Sequence, residues 1–421
     1  MERFFKVKTT EEVLEIIRGF NPLDSETVSL EDASARVLSR DVLSPEDLPP
    51  FYRASMDGYA VRAKDTFGAT ESLPAFLQVC GEVLMGERPR VSVGKGQAVK
   101  ISTGGMLPEG ADAVVMIEYC HTLDEDTIEV SKSVSPLENV ISPGDDVRSG
   151  QPVLRRGRHL RPQDIGLLAG LGISRVEVTR RPKIAIISTG DEVVDIHTRP
   201  LPGQVRDVNR YSLSAFCQAL GAVPFAMGRC KDEFEALKEK IGQGLEVADS
   251  VWISGGSSVG TRDLTLKVFQ ALGEFELLVH GISISPGKPT IIGRVRGKPV
   301  IGLPGHISSA LVVAEVFLAP FLARLSGLEQ DQEPFGGRVT AEMSRNVESA
   351  SGRDDYLRVR LVRQGDRLKA EPIFGKSGLI SPLVEGHGLV RIHRNKEGLY
   401  EGEQVEVRLF EWMPFFMDSA S

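Results

Sequence analysis

Between Lys183 and Leu325 the sequence alternates short, continuously apolar runs with longer amphipathic ones. The runs "KIAIIS", "AVPFAMG", "DSVWIS" and "KPVIG" read as strands. The stretches "NRYSLSAFCQALG", "DEFEALKEKIGQGL", "TRDLTLKVFQALG" and "ISSALVVAEVFLAPFLARL" read as helices. A strand that is apolar on both faces must be covered on both. This order therefore predicts βαβ units, a parallel sheet and a doubly wound α/β domain over residues 181–328.

A chain of 421 residues is too long for one core, and the texture changes on both sides of that region. Residues 51–145 alternate short β-like pieces such as "PAFLQVCGEV" and "ADAVVMIE" with turn signals, which predicts a small β-rich domain of four to six strands. Residues 1–50 and 146–180 hold the helix "TTEEVLEIIRGF", capped by Thr9 with Glu12, a second short helix over "SLEDASARVLSRDV", and a third in "RPQDIGLLAGLG". These predict a helical linking domain. From 329 to 421 the runs "YLRVRLV" and "EQVEVRLF" return to strand alternation and predict a C-terminal β-domain.

Charge and cysteine exclude several classes. The net charge of −8 leaves no broad basic surface for nucleic acid, so any anion must be met by local positive groups. The start "MERFFKVKTTEEV" lacks the order of a signal peptide, and no membrane span is expected. Cys80, Cys120, Cys217 and Cys230 form no C-x-x-C pair, which disfavours disulfides and zinc and fits a cytoplasmic setting.

Three predicted strands end in loops of one kind: Thr189-Gly190-Asp191-Glu192, Gly255-Gly256-Ser257-Ser258-Val259-Gly260 and Leu303-Pro304-Gly305-His306. In a parallel sheet such ends share one edge, where α/β proteins bind their ligands. Glycine lets backbone N–H groups approach a guest, and the helix starts that follow add partial positive charge, so a phosphate suits the place. Neither a Walker A loop nor a G-x-G-x-x-G fingerprint is present. Lys288, between Pro286 and Pro289, is a candidate fixed cation. Asp191, Glu192, Asp207 and Asp263 fall near strand ends, where carboxylates beside a phosphate can hold Mg²⁺. Asp249 precedes its strand and reads as structural. In "PFYRASMDGYAVR", Phe51, Met56 and Tyr59 sit among turn residues, which points either to packing on another domain or subunit or to a buried hairpin.

The segments "SMDGYAVR", "STGGMLPEGADAVVMIE", "GDDVRSG", "IISTGDE", "VRDVN", "SGGSSVGTRD", "SPGKP" and "GLPG", in that order, resemble the molybdopterin molybdenumtransferase family (MoeA and the E domain of gephyrin) along almost the whole chain. The resemblance implies an elongated homodimer whose α/β domain binds molybdopterin and whose last domain is a β-barrel. It implies insertion of molybdate into adenylylated molybdopterin with release of AMP, requiring Mg²⁺, on substrate supplied by a molybdopterin adenylyltransferase partner. Carried over, Asp57, Thr103, Glu118 and Asp146 line the cleft from the partner chain. Glu192, Asp207, Asp232 and Asp263 become the acids around metal and molybdate. Gly255, Gly256, Ser257, Ser258, Lys288, Pro304, Gly305 and His306 become the cradle for pterin and phosphate. The chain departs from the family pattern at Ile141 and Ser285, where basic residues are usual, and at Val208, His306 and Ile307. His306 caps the long helix or acts as a donor. The departures leave two alternatives: a diverged paralogue acting on another molybdopterin form or on tungsten, and a non-catalytic binding or scaffolding module.

Overall fold

A computed structural model describes residues 7–255, 259–329 and 337–410. The α/β unit is built on six strands: β1 (Lys183–Thr189), β2 (Val223–Cys230), β3 (Ser250–Ser254), β4 (Phe275–His280), β5 (Ile291–Val295) and β6 (Lys298–Leu303). They lie side by side in the order β2-β1-β3-β6-β5-β4. Helices α1 (Asn209–Ala219), α2 (Phe234–Val247) and α3 (Val259–Ala271) connect them. Leu213 and Cys217 of α1 bury one face of the sheet, while Leu237 and Ile241 of α2 and Phe269 of α3 bury the other. The doubly wound architecture follows from strands that are apolar on both sides, as β1 is, with Ile184 to Ile187 all fully buried.

The parallel arrangement holds for β2, β1, β3 and β6. Strand β5 runs against them, antiparallel to β6 on one side and to β4 on the other. The reason lies in Arg296 and Gly297, whose positive φ values of 51° and 77° make the tight turn that joins β5 to β6 as a hairpin.

The last helical stretch runs from Ile307 to Leu325, with a π-helical turn at Ala314–Leu318 just before Pro320, which has no N–H to donate. It is long and apolar enough to cross a membrane, yet Phe317, Phe321 and Leu322 bury it in the α/β core. Val13, Ile17 and Phe20, on and after the N-terminal helix Thr10–Arg18, join the same core. Thr9 and Glu12 cap that helix reciprocally, as their spacing requires.

The second N-terminal helix expected over Ser29–Val42 does not form. Turns occupy its middle, with Ala35 at φ 59°, and Val37 and Leu38 form bridges to His159 and Val178. A short isolated helix is marginal, and the distant partners win. Strand Ser25–Ser29 pairs with Arg175–Thr179, and helix Pro162–Gly170 completes a small core around Leu38, Leu160 and Leu168.

Residues 58–130 build a six-stranded sheet with an apolar cluster on each side. Strands Arg338–Met343, Asp354–Gln364, Arg367–Pro372, Gly388–Ile392 and Gln404–Leu409 pair in a closed ring, a five-stranded barrel. Ile284 and Ser285, just before the Pro-Gly-Lys-Pro loop, add a parallel strand to Asp354 and Asp355 of that barrel. The loop is thereby tied to the barrel.

Candidate functional site

The carboxyl ends of the four parallel strands lie abreast. Thr189 stands opposite Cys230, Ser188 opposite Ser254, and Ser254 opposite Leu303. From β1 the chain passes through α1 to β2 on one side, then returns through α2 to β3 on the other. The crevice therefore opens where the winding reverses. A cleft of about 390 Å³ occupies it, lined among others by Thr189, Gly190, Glu192, Asp207, Asp232, Gly255, Gly305 and His306.

Gly255 is required at this point. Its φ is +113°, and a Cβ there would lie 2.1 Å from the Thr189 carbonyl oxygen. The close approach brings the ends of β1 and β3 together.

The acids are held by short local bonds. Ser188 donates its hydroxyl to Asp207 Oδ1 at 2.8 Å, and the Arg210 amide donates to the same oxygen at 3.1 Å. The Thr189 hydroxyl donates to Asp232 Oδ1. Burial raises the Asp232 pKa above the ordinary carboxylate value, and the neighbouring charges of Asp191 and Glu192 raise it further. Asn209 donates its amide to the Gly305 carbonyl at 2.8 Å, tying the start of α1 to the loop after β6.

His306 stands at the N-cap position of the last helix without capping it by its side chain, so the capping reading is corrected. Its Nδ1 instead pairs with the Ser377 hydroxyl at 2.8 Å, in a loop of the barrel. Beside it Arg358, a barrel residue, donates to Ser308 Oγ at 2.8 Å and to the Gly375 carbonyl at 2.9 Å. No described carboxylate pairs with Arg358, and burial lowers its pKa.

Other predicted residues lie elsewhere. Gly256, Ser257 and Ser258 fall outside the described residues. Asp263 is exposed on α3, Pro304 is buried after β6, and Lys288 is exposed in the loop tied to the barrel; none of the three lines the cleft. Asp249 is bound bidentately by Arg180 at 2.6 and 2.7 Å, the structural role its position suggests. In the small β unit, Thr103 donates both its amide and its hydroxyl to Asp57 Oδ1, at 2.6 and 2.9 Å. Those bonds hold the Asp57 carboxyl below its usual pKa. Asp57, Thr103 and Glu118 flank three neighbouring strands at one rim of that sheet, and all three are exposed. Asp146 is also exposed, and its amide donates to the Leu48 carbonyl at the root of the unit. Tyr59 is buried in the strand Gly58–Val61, whereas Phe51, Met56 and Asp57 before it remain exposed.

Sequence reasoning missed Ser188, Asn209, Arg206 and Arg358. Asn209 carried a signal in "VRDVN"; Arg358 carried none, because Ser308 is 50 positions away.

Comparison with known proteins bears on the whole chain. The model of the MoeA N-terminal region (domains I and II) matches residues 8–172, that of a "probable molybdopterin binding domain" residues 185–324, and that of the MoeA C-terminal region (domain IV) residues 340–410. A molybdopterin molybdenumtransferase of Haemophilus influenzae is 33% identical over 92% of this chain and 95% of its own. The chain belongs to the molybdopterin molybdenumtransferase family. A molybdopterin biosynthesis protein of Methanocaldococcus jannaschii is 36% identical over 91% of this chain and 92% of its own. A crystal structure of MoeA from Pyrococcus horikoshii OT3 matches with a TM-score of 0.84 at 31% identity, covering 96% of this chain and 100% of that one. Membership puts the chain among the transferases of molybdenum cofactor biosynthesis and agrees with the α/β-plus-barrel fold.

Proposed function

We propose that this chain inserts molybdate into adenylylated molybdopterin with release of AMP, and that the strand-end cleft is where the pterin nucleotide sits. The observation that carries the proposal is the convergence of Thr189, Asp207, Asp232, Gly255 and Gly305 on one crevice at the sheet's winding reversal. Gly255 lets the ends of β1 and β3 close together at the cleft, where their backbone can meet a phosphate. Ser188 and Thr189 fix the carboxylates of Asp207 and Asp232.

The donor set fits Mg²⁺ bound largely through water and substrate. Among the described residues no three His, Cys, Asp or Glu side chains converge as a cage. Asp207 nevertheless keeps one buried oxygen without a hydrogen bond, and Asp232 gains from a nearby cation because Asp191 and Glu192 repel its charge. Mg²⁺ commonly takes one or two carboxylates together with phosphate oxygens and waters. Glu192, Asp207 and Asp232 would hold it, and when bound it offsets the charge on the phosphates. The chain's own groups position the phosphoanhydride and limit its motion during attack by a water oxygen.

Asp57, Thr103, Glu118 and Asp146 act, in this reading, on the cleft of a second subunit of a homodimer. Support comes from the exposed apolar side chains of Met56, Met85 and Ile117 around the Asp57–Thr103 pair. The substrate comes from a molybdopterin adenylyltransferase, in a cytoplasmic setting that suits four free cysteines.

The test is AMP release from adenylylated molybdopterin, with and without molybdate and Mg²⁺. Release coupled to molybdenum incorporation is the expected result. Tight pterin binding without any turnover would overturn the catalytic reading.

A further inference from the structure

Two buried acceptors at the foot of the cleft have nothing to accept. Asp207 and Asn209 are 2% and 8% exposed, and Oδ2 of the first and Oδ1 of the second lack any hydrogen-bond partner. Their other atoms are committed. Asp207 Oδ1 receives from Ser188 and the Arg210 amide, and Asn209 Nδ2 donates to Gly305. The Arg210 guanidinium stands 3.6 Å from Asp207 Oδ2, beyond hydrogen-bonding reach, and Arg210 Nη2 is held by the Tyr211 hydroxyl. A buried acceptor left unmade is destabilising: Asp207 Oδ2 is the oxygen offered to Mg²⁺, and Asn209 Oδ1 calls for a donor.

The rim has the opposite character. Arg206 is the one Arg or Lys among the described cleft-lining residues, and it is exposed. Its Nε donates to the Ile196 carbonyl at 3.0 Å, while its two terminal nitrogens have no partner among the described residues. The short ladder of Val193–Val194 with Val205–Arg206 fixes its backbone, helped by the Asp207 amide donating to Val194 at 2.9 Å. Arg206 is exposed, whereas the next residue, Asp207, is buried.

We propose that the cleft is polarised from floor to rim and so dictates which way the substrate enters. The exocyclic amino group of the pterin lies on Asn209 Oδ1. The guanidinium of Arg206 holds the phosphate, making Arg206 an unassigned positioning residue for the anionic end. A guanidinium anchored by one nitrogen retains two donors in the planar geometry that phosphate oxygens accept. This inference rests on the pterin-nucleotide reading of the cleft.

Two probes separate the ends: AMP, which has a phosphate and no pterin, and neopterin, which has the pterin and no phosphate. Calorimetric titration of the full chain reads both. Arg206→Gln is expected to weaken AMP about 10-fold and to change neopterin less than about 2-fold, while Arg206→Lys recovers most of the AMP affinity. Asn209→Leu is expected to weaken neopterin about 10-fold and AMP by less, with a melting curve to check the fold. Asn209→Asp keeps an acceptor oxygen but loses, like the leucine variant, the donor to Gly305, so retained neopterin binding in it assigns the leucine variant's loss to the missing acceptor. AMP binding unchanged by Arg206→Gln, or both probes weakened alike by each variant, overturns the polarity while leaving the pterin reading standing. Failure of the unaltered protein to bind either probe overturns both.

Discussion

Ser188 and Asp207 form a buried pair: the hydroxyl, on the next-to-last residue of β1, donates at 2.8 Å to a carboxylate that precedes α1. The bond joins the strand end to the helix that follows the cleft. Ser188→Ala leaves Asp207 Oδ1 with the Arg210 amide alone. A loss of ~1–2 kcal/mol in stability is expected, read from denaturant unfolding, because a bond to a buried charged group is removed. Stability equal to that of the unaltered protein would mean that the pair does not hold the cleft floor.

Gly255→Ala tests the close approach of the ends of β1 and β3. The new Cβ meets the Thr189 carbonyl at 2.1 Å in a backbone conformation of φ +113°. The expected cost is ~2–4 kcal/mol, with loss of AMP binding, since the strand ends must part to accept it. Tolerance of alanine without change in either measurement would show that the two ends are not in contact.

Glu315 lies in the π-helical turn of the long helix, and burial pushes its carboxyl from 4.5 up to about 7, only partly opposed by the charge of Arg408. An acid whose folded value is raised costs the fold nothing below its unfolded value. The cost grows as pH climbs between the two values and is complete above the folded one. Glu315→Gln should therefore match the unaltered protein near pH 4.5 and exceed it above pH 7 by on the order of 3 kcal/mol. An equal difference at both pH values, measured by unfolding midpoints, would contradict a titrating Glu315.

Asp232 follows the same sign at the cleft. Its raised pKa means that ionisation is opposed by burial and by Asp191 and Glu192, and a cation relieves that opposition. Mg²⁺ should raise the melting temperature of the unaltered protein near neutral pH, and the rise should shrink as pH falls towards the Asp232 pKa. Asp232→Asn should melt higher without Mg²⁺ and gain little from it. A full Mg²⁺ response in that variant would remove Asp232 from the metal's surroundings.

The fold was largely legible because its periods are strong. The reciprocal Thr9–Glu12 cap, the apolar strand Ile184–Ile187 and the long helix after His306 are local patterns, and each forms as read. The exceptions are set by remote partners. Val37 and Leu38 look helical in sequence and are extended because His159 and Val178 pair with them. The glycines of the strand ends announced the cleft, since close approach leaves a compositional trace. Its finer wiring left none: Asn209 reaches Gly305 across 96 positions, and His306 turns to Ser377 across 71. Lys288 looked like a cleft cation for its rigid loop, but the strand Ile284–Ser285 ties that loop to the barrel.

The most direct measurement is a crystal structure of the protein soaked with AMP and Mg²⁺. The expected result is the nucleotide in the strand-end cleft lined by Thr189, Gly255 and Gly305, with its phosphate within hydrogen-bonding distance of the Arg206 guanidinium. Nucleotide found instead in the arginine-lined cavity between helix Thr10–Arg18 and the barrel, beside Arg324 and Arg391, with the strand ends vacant, would contradict the assignment of the site.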